Sequence, residues 1–246
     1  MISATVITLN EQKNIKRALQ SLKGVVDEVI VVDSGSTDKT VEFARAFGAK
    51  VFIRDFDNFS NQKNFAVTKA KGNWMLSLDA DEEVTQELGE EIKKSLENKE
   101  FDAYLIPRRN FILGKEIKHS RWSPDTHIWL WKKDFGKWVG EVHEEVAVSG
   151  KVGFLKNSKI HNSHKTISEF MEANSKYSDL EASRLFNSGI KFSFWKMIWQ
   201  ALFEFIIRFI YKKGYLDGKE GFILAYLMSI YKLTVGIKLW ELNIKN

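Results

Sequence analysis

Between residues 2 and 107, short β-branched apolar segments alternate with segments whose apolar residues recur at helical spacing. Ile2 to Leu9 reads as a strand, and Glu11 to Leu22 as a helix carrying Ile15, Ala18, Leu19 and Leu22 on one side. Asp27 to Val32 is again a strand, ending at Asp33. Ser36, Thr37 and Asp38 are helix-opening residues, Gly48 closes the helix they start, and Lys50 to Arg54 is a third strand. Ser60 to Ala70 reads as helix, Trp74 to Asp79 as strand, Thr85 to Asn98 as amphipathic helix and Asp102 to Pro107 as strand. This alternation predicts an α/β domain on a mostly parallel sheet with helices on both faces.

Ligands of such sheets bind beyond the carboxyl ends of the strands, and the polar residues here respect those ends. Thr8-Leu9-Asn10-Glu11 follows the first strand, Asp33-Ser34-Gly35-Ser36-Thr37-Asp38 the second, and Asp79-Ala80-Asp81 the fourth. An apolar run that stops at two carboxylates one residue apart is suited to a divalent cation that keeps open positions for phosphate oxygens. The competing structural role is a hydrated turn in which Asp81 caps the helix beginning near Thr85. For Asp33 it is a turn carboxylate that stabilises the bend at Gly35. The chain has no cysteine, which excludes disulfides and thiolate metal sites.

Taken together, Thr8-x-Asn10-Glu11, Asp33-Ser34-Gly35-Ser36-x-Asp38, Lys63-Asn64 and Asp79-x-Asp81-Glu82 resemble the family 2 inverting glycosyltransferases over roughly residues 2 to 165. Val139-Gly140-x-x-His143-Glu144 and His161-x-x-His164 are similar to the branch that adds sugars, often glucose, to the inner core of bacterial lipopolysaccharide. That branch commonly carries an arginine ahead of the Gly-x-x-His-Glu region, where this chain reads His127-Ile128-Trp129-Leu130-Trp131. The resemblance implies the GT-A fold, a mixed sheet with helices on both faces, followed by a C-terminal helical region. It also implies a uridine diphosphate sugar donor and a magnesium or manganese ion.

By that resemblance Asp33 accepts the imide proton of uracil. Thr8, Asn10, Glu11 and Ser34 border the base and ribose, and Lys63 and Asn64 lie near the diphosphate. Asp81 holds the metal, Asp79 shares it or turns to the ribose, and His161, or else His164, completes the site. Transfer also needs a base for the attacking hydroxyl. Glu144 is the first candidate, with Glu145 and then Glu141 behind it; an ordinary solvated acidic run is the alternative. Arg108, Arg109, Arg121, Trp122, Trp129, Trp131 and Trp138 form a basic, aromatic stretch suited either to sugar and phosphate contacts or to core packing.

Composition divides the chain near Phe186, giving a catalytic domain over 1–185 and a helical, aromatic and basic region over 186–246. The last 61 residues hold nine Lys or Arg against four Asp or Glu, and 14 of the 32 aromatics. Between Trp195 and Tyr211, Lys196, Gln200, Glu204 and Arg208 form one narrow helical stripe within an apolar surround. No stretch of about 20 uncharged apolar residues suggests a span, so this region is read either as peripheral to an anionic membrane or as a cap on the domain. The first residues look like a strand rather than a secretory signal, so export by that route is not expected; the expected location is the cytoplasm, at the inner face of the cytoplasmic membrane. Nucleic-acid binding does not fit, because the cations sit in an apolar tail. The rival functions are a nucleotidyltransferase, which lacks its glycine-rich basic loop here, and a non-catalytic membrane-binding module.

Overall fold

The computed structural model describes residues 1–140 and 144–245. Two compact units divide them: Met1–Arg109 with Asp125–His161, and Asn110–Pro124 with Asn162–Asn246. The compositional change near Phe186 falls inside a helix of the second unit.

The first unit opens with β1 (Ile2–Thr8), α1 (Ile15–Ser21), β2 (Glu28–Asp33), α2 (Thr40–Ala46) and β3 (Lys50–Ile53). It continues with α3 (Phe59–Lys69), β4 (Trp74–Ser77), β5 (Glu82–Val84), α4 (Gln86–Ser95) and β6 (Ala103–Ile112), whose last three residues belong to the second unit. After β7 (Lys115–Ile117), in the second unit, come β8 (Thr126–Lys132), β9 (Gly136–Val139), β10 (Glu145–Val148), β11 (Val152–Phe154) and β12 (Lys159–Asn162).

The sheet runs β3-β2-β1-β4-β8-β6. Its first four strands are parallel, as the alternation predicts. β8 then inserts antiparallel between β4 and β6, so the sheet is mixed. Nothing in the local pattern of Asp102 to Pro107 distinguishes a strand beside β4 from one a place further out; the order depends on which strand completes the apolar face. β1 is buried along almost its whole length, with Ile2, Ala4 and Val6 on one face and Ser3 and Thr5 on the other, as a central parallel strand requires. Ile15, Ala18 and Leu19 are the buried face of α1, which is shorter than its apolar pattern because Glu11 to Asn14 form a turn. Asn58 caps α3 and Thr85 caps α4, each accepting a hydrogen bond from the backbone N–H three residues on. Asp81 therefore is not the cap of α4.

In the second unit, α5 (Ile167–Asn187) is followed by α6 (Phe194–Ile206), a π-helical turn over Ile207–Tyr211 and α7 (Gly218–Lys245). Ile112, Ile117, Phe170, Leu224 and Leu227 form its core. Tyr231 Oη donates to Glu181 at 2.5 Å, and Lys232 and Lys238 pair with Glu181 and Asp179, which ties α7 to α5. Contrary to expectation, the stretch Gly214–Lys245 is long and apolar enough to cross a membrane by length and composition. Those α5 pairs and the packed Leu224 and Leu227 put one side of it within the helical layer.

Backbone crowding decides one glycine. A Cβ at Gly72 would lie 2.5 Å from Ser3 Oγ, 2.8 Å from Ser3 N and 2.9 Å from Met1 O. The same Ser3 hydroxyl accepts from Gly72 N–H and donates to Glu28, joining the entry to β4 with β1 and β2. Gly72→Ala should therefore destabilise the protein by roughly 1–3 kcal/mol, read as a lowered midpoint in thermal denaturation.

Candidate active site

The first two strand ends are locked together. Thr8 and Asp33 are register partners, and Thr8 Oγ1 donates to Asp33 Oδ2 at 2.8 Å. Asp33 is fully buried and also accepts from Gly35 N–H, Ser36 N–H and Ser36 Oγ. These four bonds use the acceptor capacity of a carboxylate, so in this arrangement Asp33 organises its own turn, where Gly35 adopts φ +91°. Asn10, itself left-handed at φ +56°, receives Thr37 N–H on its side-chain oxygen, and its own N–H donates to Ser36 Oγ. Glu11 N–H donates to Thr40 Oγ1, and the Glu11 carboxylate accepts from Asn14. Burial, with Asp81, Asp38 and Asp79 adding repulsion, raises the Glu11 carboxyl above its ordinary value. Ser34 Oγ accepts from Gln62, a buried α3 residue that also accepts from Arg54.

At the end of β4 the chain turns through Asp79, Ala80 and Asp81 into β5. Glu82, with no exposed surface, holds that turn: it accepts from Asp79 N–H at 2.9 Å, from Lys159 Nζ at 2.5 Å and from Arg108 at 3.1 Å. Burial draws Lys159 down to about 8 against the pull of Glu82. β12 pairs antiparallel with β5, setting His161 opposite Glu82, and His161 Nε2 lies 3.1 Å from Asp81 Oδ2. Although burial opposes it, the Asp81 contact raises the His161 imidazole above its ordinary 6.5. His164 instead packs edge-on against Phe170 in the second unit. Among the described residues no three His, Cys, Asp or Glu side chains converge on one ion. Asp81 and His161 form a pair of donors, while Asp79 faces Lys63.

Lys63 joins the two halves of the site. Its Nζ lies 3.2 Å from Asp79 Oδ1 and 2.9 Å from Glu144 Oε1, above the ring of Trp138 at 4.4 Å, and only 4% of the residue is exposed. Burial would discharge it, but Asp79 and Glu144 outweigh that and keep its pKa raised. Lys63, Lys159 and Arg108 likewise overcome burial and hold Asp79 well below the carboxylate range. Next to Lys63, both ends of the Asn64 amide bond the backbone of Trp138, fixing α3 to β9. A cavity of about 170 Å³ opens beside Glu144, lined by His127, Trp129, Trp138 and Glu145 among others. Trp129, Trp131 and Trp138 are buried and edge-packed, so they serve the core, with Trp129 and Trp138 also walling the cavity. Glu141 and His143 lie outside the described residues.

A family model, glycosyl transferase family 2, matches residues 3–204. The chain belongs to this family. The transferase is 31% identical over 258 residues to a glycosyltransferase of Rickettsia typhi, covering all of this chain and 88% of the relative. It is 26% identical to the lipopolysaccharide core biosynthesis glycosyltransferase LpsC of Rhizobium meliloti, over 98% of this chain and 92% of that one. Among solved structures, Staphylococcus aureus TarS 1–349 in complex with UDP-GlcNAc aligns over 99% of this chain and 91% of that one, at 15% identity and a TM-score of 0.49. Family membership, with the mixed sheet observed, gives the GT-A architecture and favours a glycosyltransferase over a nucleotidyltransferase.

Sequence motifs missed the supports of this transferase site: Glu82 as a hub, Lys159, Gln62, and the Asp125–His127 contact of 2.9 Å beside the cavity. Lys159 carried a usable signal, being a charged residue inside a short strand pattern, but its partner is 77 residues away. Lys63→Met should remove the cation shared by two carboxylates and destabilise the fold by about 3 kcal/mol, the lower end for an ion pair broken from one side. In the parent, the depressed Asp79 adds stability that is present above its unfolded pKa and is lost as pH falls toward its folded one. The deficit of the variant should therefore shrink on acidification below the ordinary aspartate value, measured by urea unfolding at pH 7 and at about pH 3.

Proposed function

We propose that this transferase moves a hexose, glucose by its resemblance, from a uridine diphosphate donor to a lipid-linked saccharide of the lipopolysaccharide-core type, with inversion at the anomeric carbon. The observation that carries this reading is the Lys63 bridge. It sets the Asp79-x-Asp81 turn and Glu144 on one buried cation, with a sugar-sized cavity on the Glu144 side. The likeness to LpsC supports the acceptor class. A lipid-linked acceptor also puts the enzyme at the cytoplasmic face of a membrane, in peripheral contact with it.

In this mechanism Glu144 takes the proton of the attacking hydroxyl. Lys63, 2.9 Å away, holds the Glu144 carboxylate in place beside the cavity. Trp138 and the rest of the cavity wall exclude water and orient the acceptor. Thr8, Asn10, Glu11 and Ser34 line the nucleoside edge. Asp33, occupied by its own turn, acts there chiefly by shaping the loop, and a uracil contact would have to displace Ser36. Asp81 and His161 fit a magnesium or manganese ion in donor type: hard cations of this class are commonly held by one or two side chains, with waters and substrate phosphates completing the shell. Such an ion would neutralise charge on the departing diphosphate. Asp79 is the third candidate ligand, once released from Lys63.

Glu144→Gln should retain donor binding and lower transfer at least about a hundredfold, with the product anomer inverted in the parent by NMR. A dead Glu145→Gln beside an active Glu144→Gln would move the base by one residue, and a retained anomer would overturn the single-displacement scheme. Asp81→Ala should abolish metal-dependent UDP affinity in calorimetry. Because a metal ligand must be neutral imidazole, the parent's manganese-dependent affinity should fall as pH drops through the His161 pKa, which the Asp81 contact raises above its ordinary 6.5. His161→Ala should flatten that dependence.

A further inference from the structure

The polarity of α6 is inverted relative to that of a helix covering a domain in water. Trp195, Trp199, Leu202, Phe203, Ile206 and Ile210 fall within an arc of about 100° at 3.6 residues per turn. All six are exposed, with Trp195 at 71%, Trp199 at 67% and Phe203 at 62%. On the opposite face Met197 and Ala201 are buried together with Glu204 and Arg208, at 6% and 9% exposure. The C-terminal half of the stripe is thus inside: Arg208 Nε pairs with Glu204 at 2.5 Å and its NH1 donates to Ser120 O, while Arg121 meets Glu204 at 3.2 Å.

Charge supplies the second observation. Each Asp and Glu side chain past Phe186 is compensated within the second unit: Glu204 by the two arginines, Asp217 by the N–H groups of Lys118 and His119 and by the His119 ring, Glu220 by Lys115, and Glu241 by Lys245. Lys191, Lys196, Lys212, Lys213 and Lys219 have no carboxylate within ion-pair distance among the described residues. Lys196 borders the apolar face near its start, and Lys212 and Lys213 follow Tyr211 at its end. An apolar aromatic strip framed by uncompensated cations matches the interfacial layer of an anionic bilayer, where tryptophan and tyrosine rings and lysine heads are at home. The same charge opposes a second copy of the chain, since face-to-face pairing would bring like-charged lysines together.

We propose that the outward face of α6 is a docking surface for an anionic lipid bilayer, with Trp195, Trp199, Phe203 and Ile206 inserted at the level of the headgroups and Lys196, Lys212 and Lys213 paired to lipid phosphates. The helix lies along the surface, and its buried Glu204–Arg208 pair stays within the protein. The setting rests on the membrane location proposed above, but no donor-site residue enters the argument.

The test uses the full chain with vesicles of phosphatidylethanolamine and phosphatidylglycerol, and with phosphatidylcholine alone. The parent should co-sediment with the anionic vesicles, bind phosphatidylcholine more weakly, and be released by alkaline carbonate. The variant carrying Trp195→Ser, Trp199→Ser and Phe203→Ser removes only exposed side chains. It should keep the parent's melting temperature and UDP affinity yet bind anionic vesicles at least about tenfold more weakly, the least expected for removing large apolar side chains from a buried surface. Lys196→Gln with Lys212→Gln and Lys213→Gln should abolish the preference for phosphatidylglycerol. Equal binding by parent and triple serine variant would overturn the proposal. So would resistance to carbonate, which means a spanning helix, or a parent dimer in ultracentrifugation that the serine variant dissolves. Loss of UDP affinity in the parent with vesicle binding intact would count against the transferase reading and leave this one standing.

Discussion

A buried cation has to find anions, and in this protein that requirement assembles the site. Lys63 is drawn into the interior from α3, where Asp79 and Glu144 compensate it. Those residues come from a loop after β4 and a loop after β9, with no local reason to meet. Losing Lys63 would leave two carboxylates without their shared cation, which is far more unfavourable than never having buried the set. The ion pair thereby couples the turn after β4 to Glu144, the register that the proposed mechanism needs.

A second buried set fixes the turn itself. Glu82 takes Asp79 N–H, Lys159 and Arg108, and Arg108 goes on to Asp125, which meets His127 at the cavity. Asp81 and His161 remain directed at one another beside this framework. Rigid supports of this kind let the half-buried Asp81–His161 pair keep its geometry, which lowers the ordering that the proposed binding would need.

The second unit obeys the same rule with an opposite appearance. Glu204 and Arg208 are stable inside because they satisfy one another, the Ser120 carbonyl and Arg121. The outward face of α6 then has only its large apolar residues to present. A helical stripe of charge is normally the solvated side. Here its Glu204 and Arg208 end is packed, while Lys196 and Gln200 stay exposed.

Local pattern was enough for much of the architecture. β1, β2 and β3 could be read from β-branched runs, β4 from an apolar run that stops at Asp79, α3 and α4 from their helix-like patterns, and the crowded polar ends of β1, β2 and β4 from the turn residues that follow them. These are short-range properties, set by backbone preference and by which face of an element is apolar. The placement of β8 between β4 and β6, the choice of His161 over His164 beside Asp81, the commitment of Asn64 to β9 and of Asp33 to its own turn, and the burial of Glu204 with Arg208 were decided only by the tertiary structure. Each depends on a partner distant in sequence or on which of two polar roles the packing leaves open. Residue type and spacing specify how a side chain can bond, but only the folded chain specifies what stands opposite it.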